Sequence, residues 1–563
     1  MSLLRKCSPA LAFALALVSG QSIAQDAHDH AQPAPLLTLA DWARGAQLFD
    51  GLGDFHRSVS TSSREAQRYF DQGMRFIWAF NHDEATRSFA RAAQIDPRCA
   101  LCYWGVALTL GPNYNMPMMA EARAQVGWDA LAKARAKGAK STPVERALIS
   151  ALAARFAGPK PLDPANSAPR MAAYVEAMRA VAKRFPNDND VQTLFAEALM
   201  NTNPWKLWNA DGSPGPGTPE IVATLQKVLV VDPHHPGANH YLIHAVEASK
   251  NPEVALASAE ALKQMMPGAG HLVHMPSHIM QRVGRYEEAA QANRLGAAAD
   301  LAYLKKTAPP DYYPMYLVHN YQFLAFAAAM EGRSAEAISA SRSARSAMPD
   351  AMLLSMPGLD WSIGYLYDAL IRFGRWDEML RETAPDPALA GLSISFHQAR
   401  ATALAATGRI SEAALELATS QALMAAVPND AAQGMNVASS VYEVGQRKAA
   451  ARLATSKGDP GTAITLLQEA AVLEDKLAYN EPEDIFFPVR HLLGAALLDA
   501  GRASDAEAVL RDDLKRHPQN GWALAGLKAV LVAQKREREI GPIELQLHKA
   551  WANADQGIER AAY

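Results

Sequence analysis

The sequence predicts an all-α protein built as a solenoid of short antiparallel helix pairs. Three observations predict this fold. From Ala66, small and large apolar residues recur at helical spacing through two segments joined by the short turn "AFNHDEA". A small or basic turn followed by a second amphipathic segment then returns at Gly284, Gly332, Gly408, Gly458 and Gly501. A single pair cannot bury its apolar face alone, so the pairs are expected to stack on one another.

The first helix pair defines the repeating unit. Its small and apolar residues occupy fixed places of a 34-residue unit that begins at Ala66: Tyr69, Gly73, Phe76, Ala85, Phe89, Ala92 and Pro97. This spacing resembles the tetratricopeptide repeat, and the style of "HLVHMPSHI" resembles an exported bacterial branch of that superfamily. The resemblance covers the chain from about residue 63 and implies a right-handed superhelix. It leaves the function open, because such a surface supports many functions.

The later units are located by the proline that closes each one. The closing prolines predict unit starts at Asn189, Pro236, Gly270 and Val318. Two units are longer than the others and carry inserted loops, at residues 201–220 and 303–314. Insertions in a solenoid form loops that often lie at the edge of the binding face.

The sequence predicts five segments. Residues 1–24 have Arg5 and Lys6, a short apolar run and a small-x-small site, which indicate a secretory signal peptide. We therefore expect an exported protein, periplasmic in a Gram-negative host. The remaining predicted segments are a flexible stretch, an N-terminal repeat array with the inserted loops, a C-terminal repeat array and a capping helix, at 25–62, 63–350, 351–535 and 536–563.

Composition argues against several classes of function. The formal net charge is −3 with no basic stripe, which argues against a nucleic-acid partner. No later segment approaches the twenty apolar residues that a transmembrane helix needs. Nucleotide-binding loops, G-x-S-x-G and H-E-x-x-H are absent, so the sequence leaves enzymatic activity undecided. Cys99 and Cys102 form a C-x-x-C pair without the histidine of a haem site, and a local disulfide or a thiol pair fits them.

Histidines gather in two neighbouring units. In the tetratricopeptide family, the first helix of each unit lines a concave groove, and the resemblance implies that a polar ladder faces that groove. The ladder consists of Glu197, His240, His244, Glu247, His271, His274, His278 and His319. In a second groove position, Arg490 and His491 follow a Pro-containing helix start, where Arg490 could hold an anionic ligand group.

The histidine spacing also fits metal coordination. His240 and His244 are four residues apart, so they stack on one side of a helix, and Glu247 could complete a set of two histidines and one carboxylate. Such ligands suit zinc, copper or iron without choosing among them. His274 and His278 have the same spacing, but Pro276 between them removes a helical hydrogen bond or marks a helix start.

Two hypotheses follow. The first is an exported scaffold that binds a protein or peptide partner in the concave groove, with no cofactor. The second is a protein that binds a transition metal ion, or a metal-dependent enzyme, with ligands among His240, His244, Glu247, His271, His274, His278 and His319.

Overall fold

A computed structural model describes most of the chain. The described residues are 37–119, 121–161, 164–307, 313–356, 358–555, 557, 558 and 560–562. The predicted signal peptide, the first part of the predicted flexible segment and the middle of the second inserted loop lie outside them. Within the described residues, strand structure is confined to the two-residue strands β1, Ala432–Gln433, and β2, Asn436–Val437, and one isolated bridge. The all-α prediction is confirmed.

The chain forms two compact units. Of the described residues, 37–276 and 298–307 form the N-terminal unit, and 277–297 and 313–562 form the C-terminal unit. Each unit is an array of consecutive helices, most of them joined by short turns that make neighbouring helices antiparallel. Among the helices of the described part, none is both long and apolar enough to cross a membrane.

The N-terminal unit contains twelve α-helices within its described residues up to Pro276, and 3-10 turns at Gly138–Lys140, Ala153–Arg155 and Pro252–Ala255. The α-helices are α1 (Leu39–Arg44), α2 (Arg64–Trp78), α3 (His82–Ile95), α4 (Ala100–Leu110), α5 (Glu121–Lys137), α6 (Pro143–Leu152), α7 (Pro164–Arg184), α8 (Asn189–Met200), α9 (Thr218–Val231), α10 (Pro236–Val246), α11 (Leu256–Met265) and α12 (Gly270–His274).

Two helices cross the boundary between the units, α13 (Pro276–Arg282) and α14 (Tyr286–Lys306). The C-terminal unit continues with a 3-10 turn at Asp360–Ile363 and with α15 (Pro314–Met330), α16 (Ser334–Ala347), α17 (Asp350–Ser355), α18 (Tyr365–Arg372), α19 (Trp376–Arg381), α20 (Ala390–Ala406), α21 (Ile410–Ala426), α22 (Ala438–Ser456), α23 (Pro460–Glu474), α24 (Val489–Asp499), α25 (Ala503–Arg516), α26 (Gly521–Ala533) and α27 (Glu537–Ala550).

Helix boundaries match the repeat pattern. Helices α8, α10 and α12 begin at the predicted unit starts, whereas α15 begins four residues before the predicted Val318 because Pro314 supplies a preorganised first turn. The five turn glycines all have a left-handed backbone and stand two residues before a helix: Gly284, Gly332, Gly408, Gly458 and Gly501. The helix pairs thus confirm, at the level of fold, the resemblance to tetratricopeptide repeats.

Small residues allow the first three repeat helices to approach closely. A Cβ atom on Gly73 of α2 would lie 2.6 Å from the ring of Phe89, and one on Gly105 of α4 would lie 2.5 Å from the same ring. Phe89 of α3 is fully buried between them. A larger residue at either glycine would force the helices apart, as expected for the small places of the repeat.

The described part of the predicted flexible segment differs from the prediction. Gln72 of α2 donates to the Gln47 carbonyl oxygen at 2.7 Å, and the Phe49 and Phe76 rings meet edge to face at 5.6 Å. Trp42 and Leu52 are buried. Residues 37–62 therefore pack on the first repeat, because their apolar side chains gain more from burial than the segment loses in conformational entropy.

Candidate metal centre

Helix α10 carries the first two candidate ligands, His240 and His244. The helix begins at Pro236, whose missing N–H is of no consequence in the first turn. His235 caps it, with Nδ1 accepting from the Ala238 N–H at 3.1 Å and Nε2 lying 3.0 Å from Asp190 Oδ1. This start fixes the rotation of α10 and turns both histidines into the interior of the unit, where they are 0% and 2% exposed.

The third member of the cluster is His271, from α12. One ring nitrogen from each of His240, His244 and His271 lies within 4.8 Å of the other two. The ring centroids of His240 are 4.9 Å from His244 and 5.0 Å from His271. A tetrahedral Zn²⁺ with bonds of about 2.0–2.1 Å needs ligand nitrogens roughly 3.3 Å apart, so side-chain rotations would complete the approach. We call these three residues the histidine cluster.

Hydrogen bonds at Nδ1 orient two rings of the cluster. His240 Nδ1 lies 2.6 Å from the Trp78 carbonyl oxygen, which can only accept, so Nδ1 carries the proton and Nε2 carries the lone pair. His244 Nδ1 lies 2.7 Å from Glu247 Oε1, and the same assignment follows. Both rings thus have the tautomer in which Nε2 can bind a metal, and the Glu247 carboxylate holds the His244 ring in this orientation.

Glu247 makes a direct contact with one of the candidate ligands. The sequence suggested it as a third ligand, and its carboxylate lies against Nδ1 of the His244 ring. It is the first residue after α10, and its position three residues beyond His244 brings the two side chains together on one helical face. Within the N-terminal unit, His271 brings a ring nitrogen within 4.8 Å of those of His240 and His244, and the role of Glu247 as a direct ligand stays a prediction.

Aromatic rings wall the histidine cluster. Phe80 lies 4.4 Å from His240, 5.6 Å from His244 and 5.8 Å from His271 between ring centroids. Trp205, from the first inserted loop, meets His244 edge to face at 5.5 Å and lies 4.8 Å from Tyr114. The loop thus contributes directly to the surroundings of the cluster, and the walls reduce the access of bulk water.

Two of these wall residues have unusual backbones. Phe80 and Trp205 have φ of 54° and 63°, in the left-handed region that costs a non-glycine residue about 1–2 kcal/mol. Phe80 stands two residues before α3, the place that Gly284 and the other turn glycines occupy before their helices. The Asn81 N–H donates to the Phe76 carbonyl at 3.0 Å, and the Arg285 N–H donates to Met280 in the same way.

The sequence contained a signal for Phe80 that the histidine pattern did not use. The turn "AFNHDEA" aligns with "VGRYEEA", and phenylalanine stands where the other unit has glycine. A bulky residue at a position that favours glycine is retained only when its side chain contributes elsewhere. Here the side chain is 2% exposed and faces the histidine cluster.

The other predicted ladder histidines lie on three different helices. His274 ends α12 in the N-terminal unit, and His278 lies on α13 after Pro276, so the proline begins a new helix between them. His278 belongs to the C-terminal unit, where its Nδ1 lies 2.5 Å from Glu481 Oε2 and its ring lies 5.7 Å from His319. Their roles as ligands stay predictions.

Glu197 is buried on α8 and accepts from Asn201 Nδ2 at 2.5 Å. Burial raises the pKa of its carboxyl, an effect that the Arg155 charge opposes. Arg155 is itself buried and donates to the carbonyl oxygens of Leu108 and Pro112. Glu197 thus belongs to a buried polar group within the N-terminal unit, and its role in ligand binding stays a prediction.

Arg490 and His491 are both held by protein groups. Arg490 lies within 2.9 Å of Asp475 and Asp512. His491 Nδ1 accepts from Arg372 at 2.7 Å and its Nε2 donates to Asp513 at 2.8 Å. Burial lowers the pKa of His491 to about 4, so the ring is neutral at pH 7. Both ring nitrogens are occupied, which argues for a structural role of His491.

The structure has Cys99 and Cys102 joined in a disulfide at the start of α4. Asn81 caps α3, and its side-chain oxygen accepts from the Glu84 N–H at 3.2 Å. The cap adjoins Phe80, and the disulfide lies at the start of the next helix.

Comparison with known proteins adds only distant likenesses. No protein-family profile matches the chain, and no curated protein matches it. Among solved structures, the chain is similar to the APC/C hetero-tetramer Cut9–Hcn1, at 15% identity over 87% of this chain and 76% of that chain, with a TM-score of 0.30. It is also similar to the human IFIT1 dimer with PPP-AAAA, at 13% identity over 92% and 100%, with a TM-score of 0.32.

The TPR domain of P58(IPK) is a third similar structure, at 12% identity over 84% of this chain and 99% of that chain, with a TM-score of 0.21. Likenesses of this size carry no argument about what the chain binds or does. The assignment of the fold depends on the chain's own helix pairs.

Proposed function

We propose that this helical-repeat protein binds a transition metal ion through His240, His244 and His271. The observation that carries the proposal is the convergence of one nitrogen from each of these three buried rings within 4.8 Å. The hydrogen bonds of His240 to Trp78 and of His244 to Glu247 support it, because they set the tautomer and the orientation that metal binding requires.

The donor set restricts the class of metal. Three neutral imidazoles suit Zn²⁺, Cu²⁺ and Ni²⁺, and the stability order places copper above the others. Three histidine ligands leave a fourth position, the arrangement of catalytic rather than closed structural zinc sites. A bound ion would act there as a Lewis acid. The chain's own contribution is to hold the rings and to exclude water with Phe80, Tyr114 and Trp205.

The test is metal analysis by mass spectrometry on the full chain, purified without a chelator or a histidine tag. We expect near-stoichiometric metal in the natural protein and less than about a tenth of it in His271→Ala, because two imidazoles bind much more weakly than three. His234→Ala is the matched control, since His234 is exposed and lies just before α10. It should retain the metal.

A folded natural protein that contains no metal and gives no heat on titration with Zn²⁺ or Cu²⁺ would contradict the proposal. Equal metal content in His271→Ala and the natural chain would also contradict it, since the ion would then be bound elsewhere. Circular dichroism of each variant separates the loss of a ligand from the loss of the fold.

Export through the leader and the binding of a protein or peptide partner in the groove stay predictions of the sequence. The histidine cluster is 0–8% exposed, so a partner on the surface would not contact its rings. Partner affinity should therefore be insensitive to His240→Ala, whereas metal content should fall.

A further inference from the structure

The C-terminal unit has a cavity of its own, formed by α18, α20, α22 and the segment 484–487. The space between its atoms is about 1030 Å³, including the part open to solvent. The part that the centre of a water molecule can reach is about 100 Å³, which is room for a small organic group. The histidine cluster contributes no residue to its lining.

Three cationic side chains line this cavity: Arg372, Lys448 and Arg452. Arg372 is buried, and Lys448 and Arg452 are half-buried. Burial lowers the pKa of the Lys448 ammonium, the carboxylates of Asp368 and Glu474 raise it, and the charge of Arg372 lowers it further. The like charges of Arg372 and Lys448 therefore oppose one another across a region that is poorly solvated.

Aromatic rings hold the cations in place. The Lys448 ammonium lies 3.5 Å from the centroid of Phe487, and the guanidinium of Arg372 lies 5.1 Å from the same ring. The guanidinium of Arg452 lies 5.5 Å from Trp376. Such contacts position a cation without neutralising its charge, so each cation can still attract an anion.

Carboxylates in the lining balance the cations only in part. Asp484 accepts from Asn480, Asn436 and Gln433 at 2.7–3.2 Å, and burial raises its pKa to about 6. Asp368 is the remaining acid of the lining. The lining thus carries three cations and two acids, and amide groups already hold one of these acids. The cavity wall therefore has a net positive charge, which favours an anionic ligand.

We propose that this cavity binds a small organic anion, a carboxylate carried on an aromatic or apolar body. The cations of α18 and α22 would bind the carboxylate, and Trp361, Trp376 and Tyr442 would contact the body. The combination of a few charged groups with aromatic walls gives both orientation and affinity.

The experiment compares 4-phenylbutyrate with its neutral amide, 4-phenylbutyramide, by isothermal titration of the full natural chain with a metal chelator present. We expect saturable binding of the carboxylate, with the amide at least about tenfold weaker, because a charge-assisted hydrogen bond is lost. Lys448→Met should also weaken the carboxylate about tenfold, since methionine keeps most of the apolar stem but not the charge.

Arg447→Met is the matched control, because Arg447 precedes Lys448 on α22 and pairs outside the cavity with Glu443 and Glu469. It should bind 4-phenylbutyrate as the natural chain does, and so should His271→Ala, which removes a ligand of the proposed metal centre. Equal affinity for acid and amide, no binding of the acid at millimolar concentration, or loss of binding in His271→Ala would each overturn the proposal. The comparison of acid with amide needs no variant and holds even if Lys448→Met fails to fold.

Discussion

Replacement of Phe80 tests the link between the strained turn and the histidine cluster. Phe80 combines a left-handed backbone with a buried ring, and two substitutions separate these features. Phe80→Ala removes the ring but keeps a Cβ atom, so the φ of 54° stays unfavourable. Phe80→Gly removes the ring and the conformational cost together.

The expected magnitudes follow from the burial and the backbone of Phe80. Loss of a ring that is 2% exposed should cost about 3–5 kcal/mol of unfolding free energy in Phe80→Ala. Phe80→Gly should be more stable than Phe80→Ala by about 1 kcal/mol, because glycine adopts the left-handed region without the Cβ clash. Both variants should bind metal more weakly, since the rings of His240, His244 and His271 lose a shared wall.

Urea unfolding, followed by tryptophan fluorescence, gives the stabilities. Phe89 provides the control pair, because it is fully buried but lies within helix α3. There the order should reverse, with Phe89→Ala more stable than Phe89→Gly by about 1 kcal/mol. If Phe80→Ala equals or exceeds Phe80→Gly in stability, the left-handed assignment at Phe80 is refuted. If both Phe80 variants match the natural chain in stability and in metal affinity, the Phe80 ring does not support the histidine cluster.

Three further predictions concern the metal centre, pH and the turns. Glu247→Gln should weaken metal affinity about 10- to 100-fold, because it replaces the carboxylate that orients the His244 ring by a neutral amide. The affinity is measured by competition with a chelator, and an unchanged value would separate Glu247 from the site. The pKa of His491 lies at about 4 in the folded state, below its ordinary 6.5, so the unfolded chain takes up the proton first. The free energy of unfolding should therefore fall by about 3 kcal/mol as the pH drops from 6.5 to 4. Urea titrations at the two pH values measure this loss, and it should be absent in His491→Gln. Gly408 has a φ of 79°, so Gly408→Ala should cost about 1 kcal/mol and lower the thermal midpoint. Gly541 is the control, because its Cβ position is equally open but it lies inside α27. Gly541→Ala should therefore raise the thermal midpoint.

The helix pairs were predictable because their signals are local. Helix starts at Asn189, Pro236 and Gly270 follow from proline spacing, and the turn at Gly284 follows from the need for a left-handed residue. The packing of residues 37–62 was not predictable, because it depends on where the first repeat places its grooves rather than on the composition of the segment.

The candidate site was predictable in part. The spacing of His240 and His244 indicated a shared face, and that expectation depends only on helix geometry. The choice of His271 as third member and of Glu247 as the partner of His244 Nδ1 depends on how α12 packs beside α10, which no local pattern encodes. The cavity beside Lys448 gave no sequence signal, since Arg372 comes from α18 and the other two cations come from α22, far away in the chain.

The sequence by itself determined the all-α repeat, the positions of its turns and the histidines that share the face of α10. These follow from the periodicity of apolar residues and from backbone preferences, which act within a few residues. Only the tertiary structure decided which rings meet, which nitrogen of each ring carries the proton and which cations share a cavity. Those outcomes depend on distances between helices that are remote in sequence, and packing fixes such distances to within fractions of an ångström.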